Sequence, residues 1–209
     1  MSSLDRIAFN MGIRDETPNQ KLARELVEAN DRKGLQEIAD NLWNGNKSIR
    51  SDCLKVLYET GYLEPDLIAD YVDSFLNLLS DKQNRMVWGA MIALSTVASL
   101  RPDAIWRQID QVLAAIDKGT VITIVTGTKV LAQVAAANPT YCERLFPIML
   151  ERLRSCIPRD VPTHGESMLP AINDQNQPGF VAILESRQSE MSKSQKVRLR
   201  KVLLHISTD

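Results

Sequence analysis

The chain has 209 residues, a formal net charge of −1 and a sequence pI near 6.2, so its composition contains no strongly basic nucleic-acid surface and no long acidic tail. Hydrophobic residues make up 44%, enough for a continuous core, while 5% aromatics and nine glycines suit helices better than a β sandwich. Cys53, Cys142 and Cys156 are odd in number and lack metal-ligand spacing, which reads as reduced thiols in a cytoplasmic protein, with Cys53 expected in the core.

From the start of the chain, Ser3 is placed to cap a first helix reaching about Ile13, and Thr17-Pro18 to open a second one through Asn30. The residues Met1-Ser2-Ser3-Leu4-Asp5-Arg6 carry no basic-then-apolar leader pattern. Beyond them the chain repeats itself. Pro65, Pro102 and Pro139 lie 37 residues apart, and counting back by the same step gives a unit that begins at Glu28. Three apolar positions recur in every unit: Ile38, Phe75, Val112 and Met149; Leu42, Leu79, Ile116 and Leu153; Leu57, Leu94, Leu131 and Met168. The first two sets are four residues apart and share one helix face, while the third marks the buried face of a second helix. A small residue follows the third set at Gly61, Ala98 and Ala135, which lets neighbouring hairpins approach closely.

Each unit therefore reads as helix, polar turn, helix, turn. Pro65-Asp66 and Pro102-Asp103 start first helices, where proline's missing N–H is harmless and the carboxylate meets the positive end of the dipole. Asn44-Gly45-Asn46, Ser80-Asp81-Lys82 and Asp117-Lys118-Gly119 are the internal turns. The fourth unit loses the pattern at Cys156. The stretch 156–179 holds Pro158, Pro162, Pro170 and Pro178 and reads as a long loop with a broken helix around 166–171. A terminal pair, 179–191 and 193–206, closes the array, with Val197, Leu203, Leu204 and Ile206 expected inward and the basic residues outward. No uncharged apolar run reaches the roughly 18 residues of a membrane span. The segment 121–137 comes closest but is interrupted by Lys129 and by Thr and Gln.

The stretch from Asn46 to Leu57, with Lys47, Ile49, Arg50, Cys53 and Leu54, resembles the second helix of a HEAT repeat, and the stretch from Asn84 to Leu94 is similar. The likeness covers residues 20–156. It implies an all-α, right-handed α–α superhelix of the HEAT/armadillo kind, about five helical hairpins in one repeat domain over residues 1–209. It also implies binding along a concave surface lined by the second helices. Two departures from the pattern stand out: residues 119–123 lack the basic residue of the earlier second helices, and the fourth unit runs into the proline-rich stretch.

Charge divides between the two helix sets. The second helices sum to +1 over 46–61, +2 over 82–100 and +1 over 120–138, whereas the first helices sum to −4 over 65–81 and −2 over 102–117. This suits a protein or peptide partner, acidic in character, held by Arg50, Arg85, Trp88 and Lys129. Two readings of Trp88 stand: an interface anchor beside Arg85, or a core side chain between hairpins. Trp43 continues the Ile38–Leu42 face and is expected in the core.

Catalysis finds no support in the sequence. His164 lies near Cys156 and Glu166 but on a stretch with no nucleophile elbow, and it reads as a loop histidine. There is no phosphate loop, no dinucleotide fingerprint and no zinc-protease motif, and no cofactor or metal is expected. The reading is thus a non-catalytic interaction scaffold. The alternative is a nucleic-acid-binding protein, by analogy with HEAT-like alkylpurine DNA glycosylases, which the thin basic layer and the pI near 6.2 disfavour.

Overall fold

The repeat length of the sequence reappears in the places where helices begin. In the computed structural model, which describes residues 2–206, Lys47, Asn84 and Val121 each open a second helix, 37 residues apart. Pro65, Pro102 and Pro139 open the preceding element in the same step. Every regular element among the described residues is helical.

The chain divides into two compact units, Met1–Thr123 and Ile124–Asp209. The first holds α1 (Thr17–Glu28), α2 (Arg32–Asp40), α3 (Lys47–Leu63), α4 (Val72–Leu78), α5 (Asn84–Val97), α6 (Pro102–Arg107), α7 (Ile109–Asp117) and the start of α8 (Val121–Ala137). There α3 packs between α1 and α5, forming a layer of second helices, while α2 lies against α3 and α4 against α5. The second unit holds the rest of α8, then α9 (Pro139–Ser155), α10 (Val161–Met168), α11 (Gln177–Ser186) and α12 (Lys193–Ile206). In it α10 packs on α9 and α12, and α11 on the same two helices.

All twelve recurrent apolar positions named above are buried, at 6% exposure or less. Gly61 of the small-residue positions acts as expected, and Gly89, outside that set, makes a second close approach. A Cβ on Gly61 would collide with the Thr96 side chain of α5 and stand 2.7 Å from Ile68 Cδ1, and one on Gly89 would stand 2.6 Å from Leu54 Cδ2. Helices α3 and α5 therefore touch almost backbone to side chain. Cys53 is fully buried, and its thiol is pushed up to about 12, first by burial and then by Asp52 and Glu37.

Several local expectations are corrected. The first helix after Pro65 is not one piece: 3-10 turns at Pro65–Leu67 and Ala69–Tyr71 precede α4, and the chain after Pro102 is split into α6 and α7 at Gln108. Both breaks fall at one register position, since α4 and α7 start 37 residues apart. In place of a helix from Ser3 to Ile13 there is only a 3-10 turn, Leu4–Arg6, and the chain then turns through Gly12 at φ 68°.

The stretch 156–179 is not a long loop. It contains α10, a 3-10 turn Leu169–Ala171 and the start of α11, because Pro162, Pro170 and Pro178 each occupy a first-turn position where proline starts an element rather than breaking one. Val197 and Leu204 of α12 are exposed, whereas Leu199, Val202 and Ile206 form its buried stripe. Trp43 is 54% exposed, because the 3-10 turn Asn41–Trp43 ends the first helix just as Leu42 goes inside.

The contact at Gly61 yields a stability test. Gly61→Ala adds a methyl group where no space exists and should destabilise the chain by about 1–3 kcal/mol despite the gain in helix propensity. Gly45→Ala, which meets nothing within 4 Å, should be neutral or stabilising. Urea unfolding of the two variants side by side checks the difference.

Candidate functional site

On α3, the residues Ser48, Asp52, Lys55, Glu59 and Tyr62 fall on the side opposite the core stripe of Cys53, Leu57 and Thr60. The repeat step of 37 carries Ser48 onto Arg85, Ser51 onto Trp88 and Lys55 onto Ile92 of α5. The same surface of both helices thus carries a mixed aromatic and charged cluster.

Lys55 is its centre. The Nζ lies 2.7 Å from Glu59 Oε1, 2.9 Å from Glu16 Oε2 and 4.8 Å from the centre of the Tyr58 ring. Burial opposes the charge on this ammonium, but the hydrogen bonds to Glu59 and Glu16 outweigh it and hold the group well above the ordinary lysine range. Arg85 donates from Nη2 to Glu16 Oε1 at 2.6 Å, and its guanidinium stands 5.9 Å from the Trp88 ring centre. Tyr58 contacts Trp88 at 6.4 Å and Tyr62 edge-on at 6.1 Å. Burial raises the phenols of Tyr58 and Tyr62, which stay protonated near neutrality.

The four residues singled out from sequence fall in different places. Arg85 is exposed and Trp88 half-buried, side by side on α5. Lys129 is exposed on α8, at the register position of Lys55 and Ile92. Arg50 lies off this surface, toward the turns. Its Nε donates to the Leu42 carbonyl at 2.7 Å, its guanidinium pairs with Asp81, and Trp43 lies 6.0 Å away. It joins the end of one first helix to the turn of the next unit.

Sequence reading passed over Lys55, Tyr58, Tyr62 and Glu16. The first three have a readable signal: Lys55–Glu59 and Tyr58–Tyr62 are interleaved i,i+4 pairs on one helix, leading from the buried Lys55 and Tyr58 to a half-buried Glu59 and an exposed Tyr62. Glu16 has none, since it is 69 residues from Arg85 and outside the repeats.

In the second unit, His164 is buried within α10 rather than in a loop. Its Nδ1 lies 3.3 Å from Thr128 Oγ1. That hydroxyl donates to the Ile124 carbonyl, so it accepts from a neutral imidazole protonated at Nδ1. Burial holds the imidazole below its ordinary value. The Cys156 thiol, pushed up mainly by burial, donates to the Leu153 carbonyl and remains a thiol near neutrality. Neither group is prepared for nucleophilic chemistry. Among the described residues there is no group of His, Cys, Asp and Glu able to hold a metal ion, and no helix is long and apolar enough to cross a membrane.

No family model matches the chain, and no curated protein matches it. Among solved structures, an engineered protein is similar with a TM-score of 0.61 at 15% identity, over 100% of this chain and 98% of that one. A designed armadillo repeat protein in complex with peptide (KR)4 gives 0.62 at 14% identity, over 97% and 98%. A further designed armadillo repeat protein gives 0.59 at 13% identity, over 96% and 97%. The fold is an armadillo/HEAT-like helical-repeat superhelix.

Two pH-dependent outcomes follow from the Arg50–Asp81 pair and the buried imidazole of His164. Burial alone would raise the Asp81 carboxyl, but the hydrogen bonds from Arg50 and from the Gln83 N–H outweigh it and hold it below the ordinary range. A depressed carboxyl stabilises the fold above the unfolded value near pH 3.9, and that contribution fades as pH falls through the folded value. Arg50→Met should therefore cost about 2–3 kcal/mol at neutral pH, the gap to the wild type narrowing under acid in chemical denaturation. His164 is also depressed, so its contribution is full above about pH 6.5 and is lost as pH falls. Replacing it by Gln should flatten the stability profile between about pH 6.5 and 5, as read by thermal melts.

Proposed function

We propose that this chain is a non-catalytic interaction module that holds a protein or peptide segment against the solvent side of α3 and α5. One observation carries the reading: an exposed arginine, Arg85, lies against a half-buried Trp88 that is itself backed by Tyr58. Arginine and tryptophan dominate binding energy at interfaces, because a flat, partly desolvated ring pair presents a large contact area at little entropic cost. Tyr62, 55% exposed beside them, enlarges the apolar surface.

Charge sets the character of the partner. The similar designed protein is in complex with the basic peptide (KR)4. In this chain α3 and α5 bring Lys55 and Arg85 together, which favours an acidic segment; Lys129, on α8 in the second unit, is an exposed cation considered by itself. Arg50 has a supporting part in this reading: committed to the Leu42 carbonyl and Asp81, it fixes the turns that start α3 and α5.

Capture from source lysate on the tagged chain, with and without nuclease, tests the reading against an Arg85→Ala/Trp88→Ala variant. A protein partner that survives nuclease should lose about 2–4 kcal/mol of binding in the variant. Equal retention by the variant would remove these residues from the interface. Recovery of nucleic acid alone, abolished by nuclease, would replace the module with a nucleic-acid-binding protein.

A further inference from the structure

Glu16 sits at the N-cap position of α1 yet its side chain does not cap it, and Pro18 at the second helical position has no N–H to offer; the Thr17 N–H donates to Asp15 Oδ1 at 2.8 Å. The Glu16 carboxylate instead reaches sideways and divides its two oxygens. Oε2 meets Lys55 on α3 at 2.9 Å, and Oε1 meets Arg85 on α5 at 2.6 Å. The segment that delivers it, residues 9–15, lies beside the starts of the same two helices and lines with them an open cleft of about 500 Å³, with Phe9, Ile13, Ser48, Asp52, Gln83 and Arg85 in its wall. The segment is fixed at both sides. The Ala8 N–H donates to the buried Asn19 at 2.9 Å, the Phe9 N–H donates to Asp52 at 2.8 Å, and α1 begins at Thr17.

We propose that Lys55 and Arg85 form a carboxylate-binding subsite, that Glu16 fills it in the free chain, and that the ligand is an acidic side chain of a peptide whose adjacent apolar residue meets Trp88. The proposal rests on the interaction-module reading above and adds the partner's chemistry and an internal competitor. The two cations have unequal alternatives. Lys55 keeps Glu59 at 2.7 Å when Glu16 leaves, so no buried charge is stranded. Arg85 retains only the Trp88 face among the contacts described for it, and an incoming carboxylate would take the place of Glu16 there. Glu16 and Arg85 are each more than two-fifths exposed, so the bond between them is screened and exchangeable. Because the segment is anchored on both sides, exchange needs only a rotation of the Glu16 side chain, with no unfolding of the chain around it.

The test uses fluorescence anisotropy with a labelled peptide of alternating Glu and Leu, and one of alternating Lys and Leu as control. Proteins are the full chain, Glu16→Gln, Glu16→Asp and Glu16→Gln/Arg85→Ala, each confirmed as folded by circular dichroism. Glu16→Gln should bind the Glu–Leu peptide about tenfold more tightly than the wild type, the gain expected from removing a charge-assisted competitor. Glu16→Asp, too short to span both cations, should show a smaller gain, and Arg85→Ala should erase it. Equal affinity of the wild type and Glu16→Gln for the Glu–Leu peptide overturns the proposal, as does an equal gain for the Lys–Leu peptide. If a partner captured from lysate depends on Arg85 and Trp88 while Glu16→Gln leaves its affinity unchanged, the subsite falls and the interaction module stands. Indifference of that partner to Arg85 and Trp88 removes both.

Discussion

The close approach of neighbouring second helices is the constraint from which the rest of this structure follows. Gly61 of α3 faces Thr96 of α5, and Gly89 of α5 faces Leu54 of α3, each with no room for a methyl group. Such contact fixes the register of α3 against α5, since sliding either helix by one residue would bring a larger side chain into the space that only glycine fits. It also explains why the buried positions recur in a fixed step and why the solvent side is free to vary. A helix pair that cannot bury its own apolar face is completed by its neighbour, so the core is shared rather than owned.

What the sequence revealed was what this constraint governs. The recurrent apolar sets Ile38–Phe75–Val112–Met149 and Leu57–Leu94–Leu131–Met168 are all buried because burial acts on every unit alike. Where a single residue decides, periodicity is silent. Trp43 lies one place beyond a buried Leu42, and only the 3-10 turn there sends its ring outward. Pro162, Pro170 and Pro178 look like loop residues in composition, yet each sits where an element starts. The same proline that ends one helix permits the next, and composition alone cannot choose between the two roles.

The arginines show a second limit. Arg50 donates to the Leu42 carbonyl and Arg187 to the Leu153 carbonyl at 3.1 Å, and these two leucines occupy the same register position in units far apart in the chain. Arg187 also donates to the Cys156 carbonyl at 2.7 Å and forms a forked pair with Glu190. Both side chains satisfy carbonyls left open at the end of a helix, a need that recurs wherever a first helix stops. Yet they come from unrelated positions, one in α3 and the other just after α11, so no repeat analysis pairs them. Arg50 and Arg85 look alike in sequence, each near the start of a second helix. Geometry separates them, because the rotation between these register positions turns Arg50 toward the turns and Arg85 toward solvent.

Glu16 lies beyond every local rule, and its position gives the charge of the chain a meaning that composition hides. The net charge of −1 suggests little electrostatic character. On the solvent side of α3 and α5, however, cations and aromatic rings are gathered and then partly neutralised by one carboxylate from outside the repeats. A carboxylate fixed within the repeats would neutralise the surface permanently, as Glu59 does for one side of Lys55. A carboxylate at the mouth of α1 that caps no backbone N–H is held by its ion pairs alone. The Glu16–Arg85 pair, with both partners more than two-fifths exposed, contributes little to stability, and the buried Lys55 keeps Glu59 as a second partner. In the subsite proposed above, the value of these ion pairs lies in specificity: a ligand must supply a carboxylate to replace the one it displaces, and an apolar or cationic segment has nothing to offer Arg85 in exchange.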